Sequence, residues 1–144
     1  MNTSEKTNED GYSLLEILVV LAIMAVLASV VAPRLFSQVD KANITAAKSQ
    51  VKALRLALDA YRLDSGRYPT AEEGLTLLVK SPSGGGRWFG PYIDGELPAD
   101  PWETPYVYVP SLLDQNGSQL APRVISLGSD RVEGGTGNAA DISS

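Results

Sequence analysis

Residues Tyr12 to Pro33 read YSLLEILVVLAIMAVLASVVAP, a block of 22 positions in which Glu16 is the only charge. As a helix at about 1.5 Å per residue, such a block spans roughly the 30 Å hydrocarbon core of a bilayer. A membrane helix, a cleavable secretory signal and a buried core helix compete for it. A secretory signal needs a basic n-region, and here Glu5, Glu9 and Asp10 outnumber Lys6. A core helix at a protein surface keeps a polar face, and this block has none. The membrane-embedded reading is the favoured one.

The helical pattern continues beyond Pro33. Ile44, Ala47, Val51, Leu54, Leu58 and Tyr61 recur three or four residues apart, which draws one apolar stripe along a helix. Lys41, Lys48, Lys52, Arg55 and Arg62 lie off that stripe. The first half is apolar all round and the second half is amphipathic, with Pro33 near the junction as the expected kink. Asp64-Ser65-Gly66 supplies a stop, with Gly66 as a left-handed cap. The pattern predicts one helix from about Ser13 to Asp64, a membrane stalk feeding a head.

In the head, Thr70-Ala71-Glu72-Glu73 matches a capping box, with Thr70 as N-cap and Glu73 reaching back. A short helix to about Lys80 is expected to bury Leu75, Leu77, Leu78 and Val79. Gly84-Gly85-Gly86 makes the stretch from Ser81 to Gly90 a loop. Tyr106–Val109 and Arg123–Leu127 carry the strand signals. Pro91, Pro98, Pro101 and Pro105 confine the segment between to turns and edges. The fold class is therefore α+β, a small antiparallel sheet on the amphipathic half of a long helix.

The full chain has 144 residues, no cysteine and no histidine. Disulfides, thiolate sites and histidine-based catalysis are excluded. A net charge of −5 disfavours a nucleic-acid partner. Carboxylate pairs such as Asp94/Glu96 and Asp100/Glu103 sit in turn-like loops where solvated carboxylates are expected. With no site constellation around them, the chain does not read as an enzyme.

The junction of the polar start with the apolar block reads Gly11-Tyr12-Ser13-Leu14-Leu15-Glu16. It resembles the processing motif of type IV pilins and pseudopilins. The resemblance implies cleavage between Gly11 and Tyr12 by a prepilin peptidase, methylation of the new Tyr12 amino group, and a glutamate at Glu16. Tyr12 stands where phenylalanine is more usual. A carboxylate within an apolar span is costly and marks function unless it lies shallow, near the headgroups. The Tyr12 amino group of an adjacent copy is the natural partner for Glu16, and that pair would set an axial register. The resemblance places the leader, residues 1–11, in the cytoplasm, although Arg34 and Lys41 beyond the span favour the reverse orientation.

Three further stretches resemble the major pseudopilins of type II secretion systems. They are Arg67–Leu75, Leu97-Pro98-Ala99-Asp100-Pro101-Trp102-Glu103-Thr104-Pro105-Tyr106, and the tail from Ser126 to Ile142. Glu103 replaces a usual glycine, and Trp102 is expected to anchor its loop on the core. The tail places Asp130, Glu133, Asn138 and Asp141 among four glycines. On composition alone it reads as a disordered polar tail. The resemblance instead implies a calcium loop, with Asp130 and Asp141 as side-chain ligands, Leu127 through its carbonyl, and Asn138 as a further ligand. Oxygen ligands in irregular geometry suit calcium.

The organisation implied is a cleaved leader at 1–11, a transmembrane and filament-core helix at 12–33, and a periplasmic head at 34–144 with a pilin-like fold. The resemblance implies a structural subunit of the secretion pseudopilus, anchored singly in a bacterial inner membrane. Copies would form a helical homopolymer that drives protein export across the outer membrane. Its implied partners are minor pseudopilins, the prepilin peptidase and methyltransferase, and an inner-membrane assembly platform. A type IV pilus subunit is the alternative within the fold, disfavoured because such pilins commonly close a C-terminal disulfide loop. A membrane-anchored calcium-binding domain that never polymerises, and that keeps residues 1–11, is the alternative outside it.

Overall fold

The computed structural model describes residues 12–82, 84, 85, 87–113, 115 and 120–144. The cleavage-site residue Gly11, with the leader, lies outside them. The dominant element is α1, Leu14–Ser65, a helix of 52 residues that runs through Pro33. The chain divides into two compact units, Met1–Gln38 and Val39–Ser144.

In the first unit, Ser13 begins α1 by accepting the Glu16 N–H on its hydroxyl at 3.1 Å. That satisfies one of the backbone donors that every helix start leaves open. The helix is long and apolar enough to cross a bilayer, and none of its apolar window is buried. No face of the stem turns polar, as the sequence requires.

In the second unit, α1 buries Ala47, Val51, Leu54, Ala57, Leu58 and Tyr61. This is the expected stripe, with Ala57 added and Ile44 packed at its edge. Gly66 ends the helix at φ +81°, its N–H on the Arg62 carbonyl at 2.8 Å. The capping box forms as read: Thr70 N–H reaches Glu73 Oε2 at 2.9 Å, and Glu73 N–H reaches Thr70 Oγ1 at 3.3 Å. The helix expected after it does not reach Lys80. Gly74 takes φ +55°, outside helical geometry, and only a 3-10 turn over Gly74–Leu78 follows. That turn still buries Leu75, Leu77 and Leu78.

The sheet has three antiparallel strands in the order β1, β2, β3. They are β1 Val107–Val109, β2 Arg123–Ser126 and β3 Ile142–Ser143. β2 is central and alternates: Val124 and Ser126 are buried while Arg123 is exposed. Strand β3 lies in the tail and was not expected from sequence. Leu54, Leu58, Leu78 and Val124 form the sealed centre of the core. Each such side chain contributes about 2 kcal/mol of burial.

Candidate functional site

The tail leaves β2 at Ser126, turns at Leu127–Arg131 and returns to pair as β3, so both its ends are held by the sheet. Inside the loop, Asp130 Oδ1 accepts the Val132 N–H at 3.1 Å and Asp141 Oδ2 accepts the Gly134 N–H at 3.0 Å. Both carboxylates thus brace the glycine turn between them. Asp141 Oδ1 is buried and has no protein partner. A buried, unpartnered carboxylate oxygen is costly and calls for a cation, water or donor.

Backbone oxygens crowd the same place. A Cβ at Gly128 would lie 2.9 Å from the Ala139 carbonyl oxygen and 3.0 Å from that of Ala140. A Cβ at Gly135 would overlap the Ala139 carbonyl and lie 3.2 Å from Asp130 Oδ2. Glycine is needed at both positions for room as well as for positive φ. This chemistry, with carboxylates and carbonyls drawn together by glycines, fits a hard cation. Among the described residues, no group of three or more acidic side chains converges as a metal site. A cation here therefore relies on two carboxylates and on backbone carbonyls.

Leu127 is half-buried at the exit of β2, where its carbonyl enters the loop. Asn138 is exposed, and its amide donates to Asp40 Oδ2 on α1 at 3.1 Å. Asn138 therefore also ties the tail to the long helix, a contact across 98 residues that no local pattern announces. Glu133 is exposed.

The loop around Trp102 corrects one expectation. Asp100 is not a solvated carboxylate: it is 4% exposed. Its Oδ1 accepts the N–H groups of Trp102 and Thr104, at 3.0 and 2.8 Å. Its Oδ2 accepts the Ser126 hydroxyl. The carboxylate is fully engaged as a strut, so the pair Asp100/Glu103 has no free acid for catalysis. Trp102 packs against the core as expected, and its carbonyl accepts from Arg131 at 2.9 Å. Arg131 is thus a bond between the Pro-Trp loop and the tail. Nearby, burial and the charge of Asp100 push the Tyr106 phenol up to about 12.

A second network fixes the end of α1. The Tyr68 hydroxyl donates to Asp59 Oδ1 at 2.8 Å and accepts from Arg62 at 3.2 Å. The Arg62 guanidinium lies 4.9 Å from the Tyr68 ring centroid, a cation–π contact. Arg67 grips Glu73 with two nitrogens at 2.6 and 2.8 Å. That grip pulls the Glu73 carboxyl down to about 2. At the other end of the chain, Tyr12 and Glu16 are both exposed.

Comparison with known proteins adds the following. The family described as Type II secretion system (T2SS), protein G matches residues 34–144. The prokaryotic N-terminal methylation motif matches residues 6–32. The type II secretion system core protein G of Pseudomonas aeruginosa is 40% identical over 141 residues, covering 96% of each chain. That of Vibrio cholerae is 39% identical over 137 residues, covering 93% of this chain and 90% of its own. A crystal structure of the major pseudopilin from the type 2 secretion system of enterohaemorrhagic Escherichia coli is 36% identical. It superposes with a TM-score of 0.55, covering 77% of this chain and 93% of that one.

Proposed function

The chain belongs to the protein G family of type II secretion systems, and from that premise we propose that it is the major pseudopilin of such a system. It is a structural subunit and not an enzyme. Copies held in the inner membrane by residues 12–33 assemble into a periplasmic filament that drives protein export. The observation that carries this reading is the exposed apolar stem of α1 joined in one chain to a protein G head.

Prepilin peptidase cuts after Gly11 and methylates Tyr12, a step supported by the methylation motif at residues 6–32. The Glu16 carboxylate then pairs with the Tyr12 amino group of a neighbouring copy and sets the register of the filament. Minor pseudopilins and an inner-membrane platform complete the assembly. Intact-mass analysis of the membrane form tests the processing. The expected species lacks residues 1–11 and carries one added methyl group. A full-length chain would favour an anchored domain that never polymerises.

Calcium is the cation proposed for the tail. Asp130 and Asp141 hold it by side chain, Leu127 by its carbonyl, and Asn138 contributes where its contact to Asp40 allows. The orphaned Asp141 Oδ1 and the carbonyls crowding Gly128 and Gly135 support this. The ion supplies positive charge to a loop whose glycines otherwise make ordering entropically costly. An ion that binds only the ordered loop stabilises it by mass action. Removing calcium with a chelator should lower the melting temperature of the head and expose the tail to protease. An unchanged melt and digestion pattern would sink the calcium assignment while leaving the filament reading intact.

A further inference from the structure

The head half of α1 carries a second apolar stripe. It runs from Ala42 through Ala46, Ser49, Ala53, Leu56 and Ala60 to Leu63, in alternating steps of four and three residues. At about 100° per residue it lies on the side of the helix away from the buried stripe. Every member is exposed; Leu56 is 61% and Leu63 87% open to solvent. No charge interrupts it, although Lys48, Lys52 and Arg62 lie close by on the same helix. A single exposed leucine means nothing. An uncharged line kept in register over six steps is the pattern of a helix that receives another helix. Four of its members are alanine, which lets a partner's backbone approach closely.

The stem supplies the partner. Residues 12–33 are apolar on every face, and none of the apolar window is buried. A copy that leaves the bilayer for a filament must cover that surface with protein. The two lengths agree: stem and stripe each extend about 30 Å at 1.5 Å per residue. Copies that leave one membrane with the same polarity lie parallel. The stem of one then meets the stripe of another at a stagger of about 30 residues, or roughly 45 Å.

We propose that the stripe Ala42–Leu63 is the seat for the apolar stem of a second copy of this chain, staggered along the filament by about one stem length. This rests on the filament reading above. Under it, residue 23 of one copy lies beside residue 53 of another. The head half of α1 then has two tasks: one face organises its own core, and the opposite face shields a neighbour's stem.

The absence of cysteine permits a clean test in the full chain, produced with its assembly machinery. One copy carries Ile23→Cys and the other Ala53→Cys, and mild oxidant is added. A covalent dimer is expected from this pair. None is expected from the off-stagger pair Leu15→Cys with Leu63→Cys. Polymer pelleted after shearing, from cysteine-free protein, reports assembly separately. Polymer without the Ile23–Ala53 dimer, or equal dimer from both pairs, overturns the proposed seat and leaves the filament reading standing. Absence of polymer from cysteine-free protein overturns both. In addition, Ala53→Trp should abolish pelleted polymer without moving the melting temperature of the head, because Ala53 touches solvent there. Normal polymer from Ala53→Trp would also overturn the seat.

Discussion

The Asp100 carboxylate accepts the Ser126 hydroxyl at 2.6 Å, and neither side chain is reached by solvent to any extent: they are 4% and 0% exposed. This bond fastens the Pro-Trp loop to the last residue of β2, where the tail begins. Ser126 Oγ in turn accepts the Gly128 N–H at 3.3 Å. One buried carboxylate thus positions the start of the candidate calcium loop through a hydroxyl relay.

Replacing Asp100 should therefore damage both loops. Asp100→Ala strands the Trp102 and Thr104 N–H groups and the Ser126 hydroxyl in a dry site. Each such orphan costs about 1–3 kcal/mol. The expected loss is about 3 kcal/mol or more in urea unfolding of residues 34–144. Asp100→Asn keeps one acceptor oxygen and should lose roughly half as much. Wild-type stability in the alanine variant would show that the loop holds itself.

Glu103 should respond in the opposite sense. Its backbone sits at φ +63° with the side chain exposed. For an L-residue that region costs about 1–2 kcal/mol, and glycine occupies it without strain. Glycine is also what the resembling loops carry at this position. Glu103→Gly should raise stability by about 1 kcal/mol, part of the relief being offset by the freer unfolded chain. A drop in stability would mean that the glutamate side chain holds a partner in solution.

The Arg67–Glu73 pair predicts an acid-side pH dependence. The two hydrogen bonds from Arg67, helped by the Thr70 N–H, hold the folded Glu73 carboxyl at about 2, below its ordinary 4.5. A depressed carboxyl stabilises the fold fully above its unfolded value and ceases to do so as pH falls. The window is therefore from about 4.5 down to about 2. Arg67 is 47% and Glu73 25% exposed, so solvent screening limits the contribution to about 1 kcal/mol. Glu73→Gln should be less stable than wild type by that amount at pH 7. The two melting curves should converge near pH 2, and a constant gap across the range would refute the assignment.

Local rules made the long elements readable. The stripe Ile44–Tyr61 shows because burial along one helix face repeats at short range. Thr70 and Glu73 show because a capping box is a four-residue device. The partners of Asp100 and Asn138 do not show. Ser126 lies 26 positions from Asp100, and Asp40 lies 98 from Asn138. Asp100-Pro101 reads as a solvated turn until the sheet closes over it. Strand β3 has two residues, too few to display any alternation. The short helix after Glu73 was misread because the one glycine within it, Gly74, takes a backbone angle that periodicity does not reveal.

The two tail glycines separate backbone strain from cation binding. Gly134 and Gly135 both have positive φ, +105° and +76°. A methyl group at Gly134 would meet nothing within 4 Å, whereas at Gly135 it would overlap the Ala139 carbonyl and crowd Asp130 Oδ2. Gly134→Ala thus adds backbone strain alone, about 1–2 kcal/mol. Gly135→Ala adds comparable strain and also displaces two of the oxygens drawn together in the loop. In calcium, both variants should melt below wild type, with Gly135→Ala the lower. Adding chelator should still lower the melt of Gly134→Ala and should leave that of Gly135→Ala almost unchanged. If chelator shifts both variants equally, the Ala139 carbonyl and Asp130 are not where the ion sits. The loop would then owe its order to the Asp141 bond to Gly134 and to the pairing of β3.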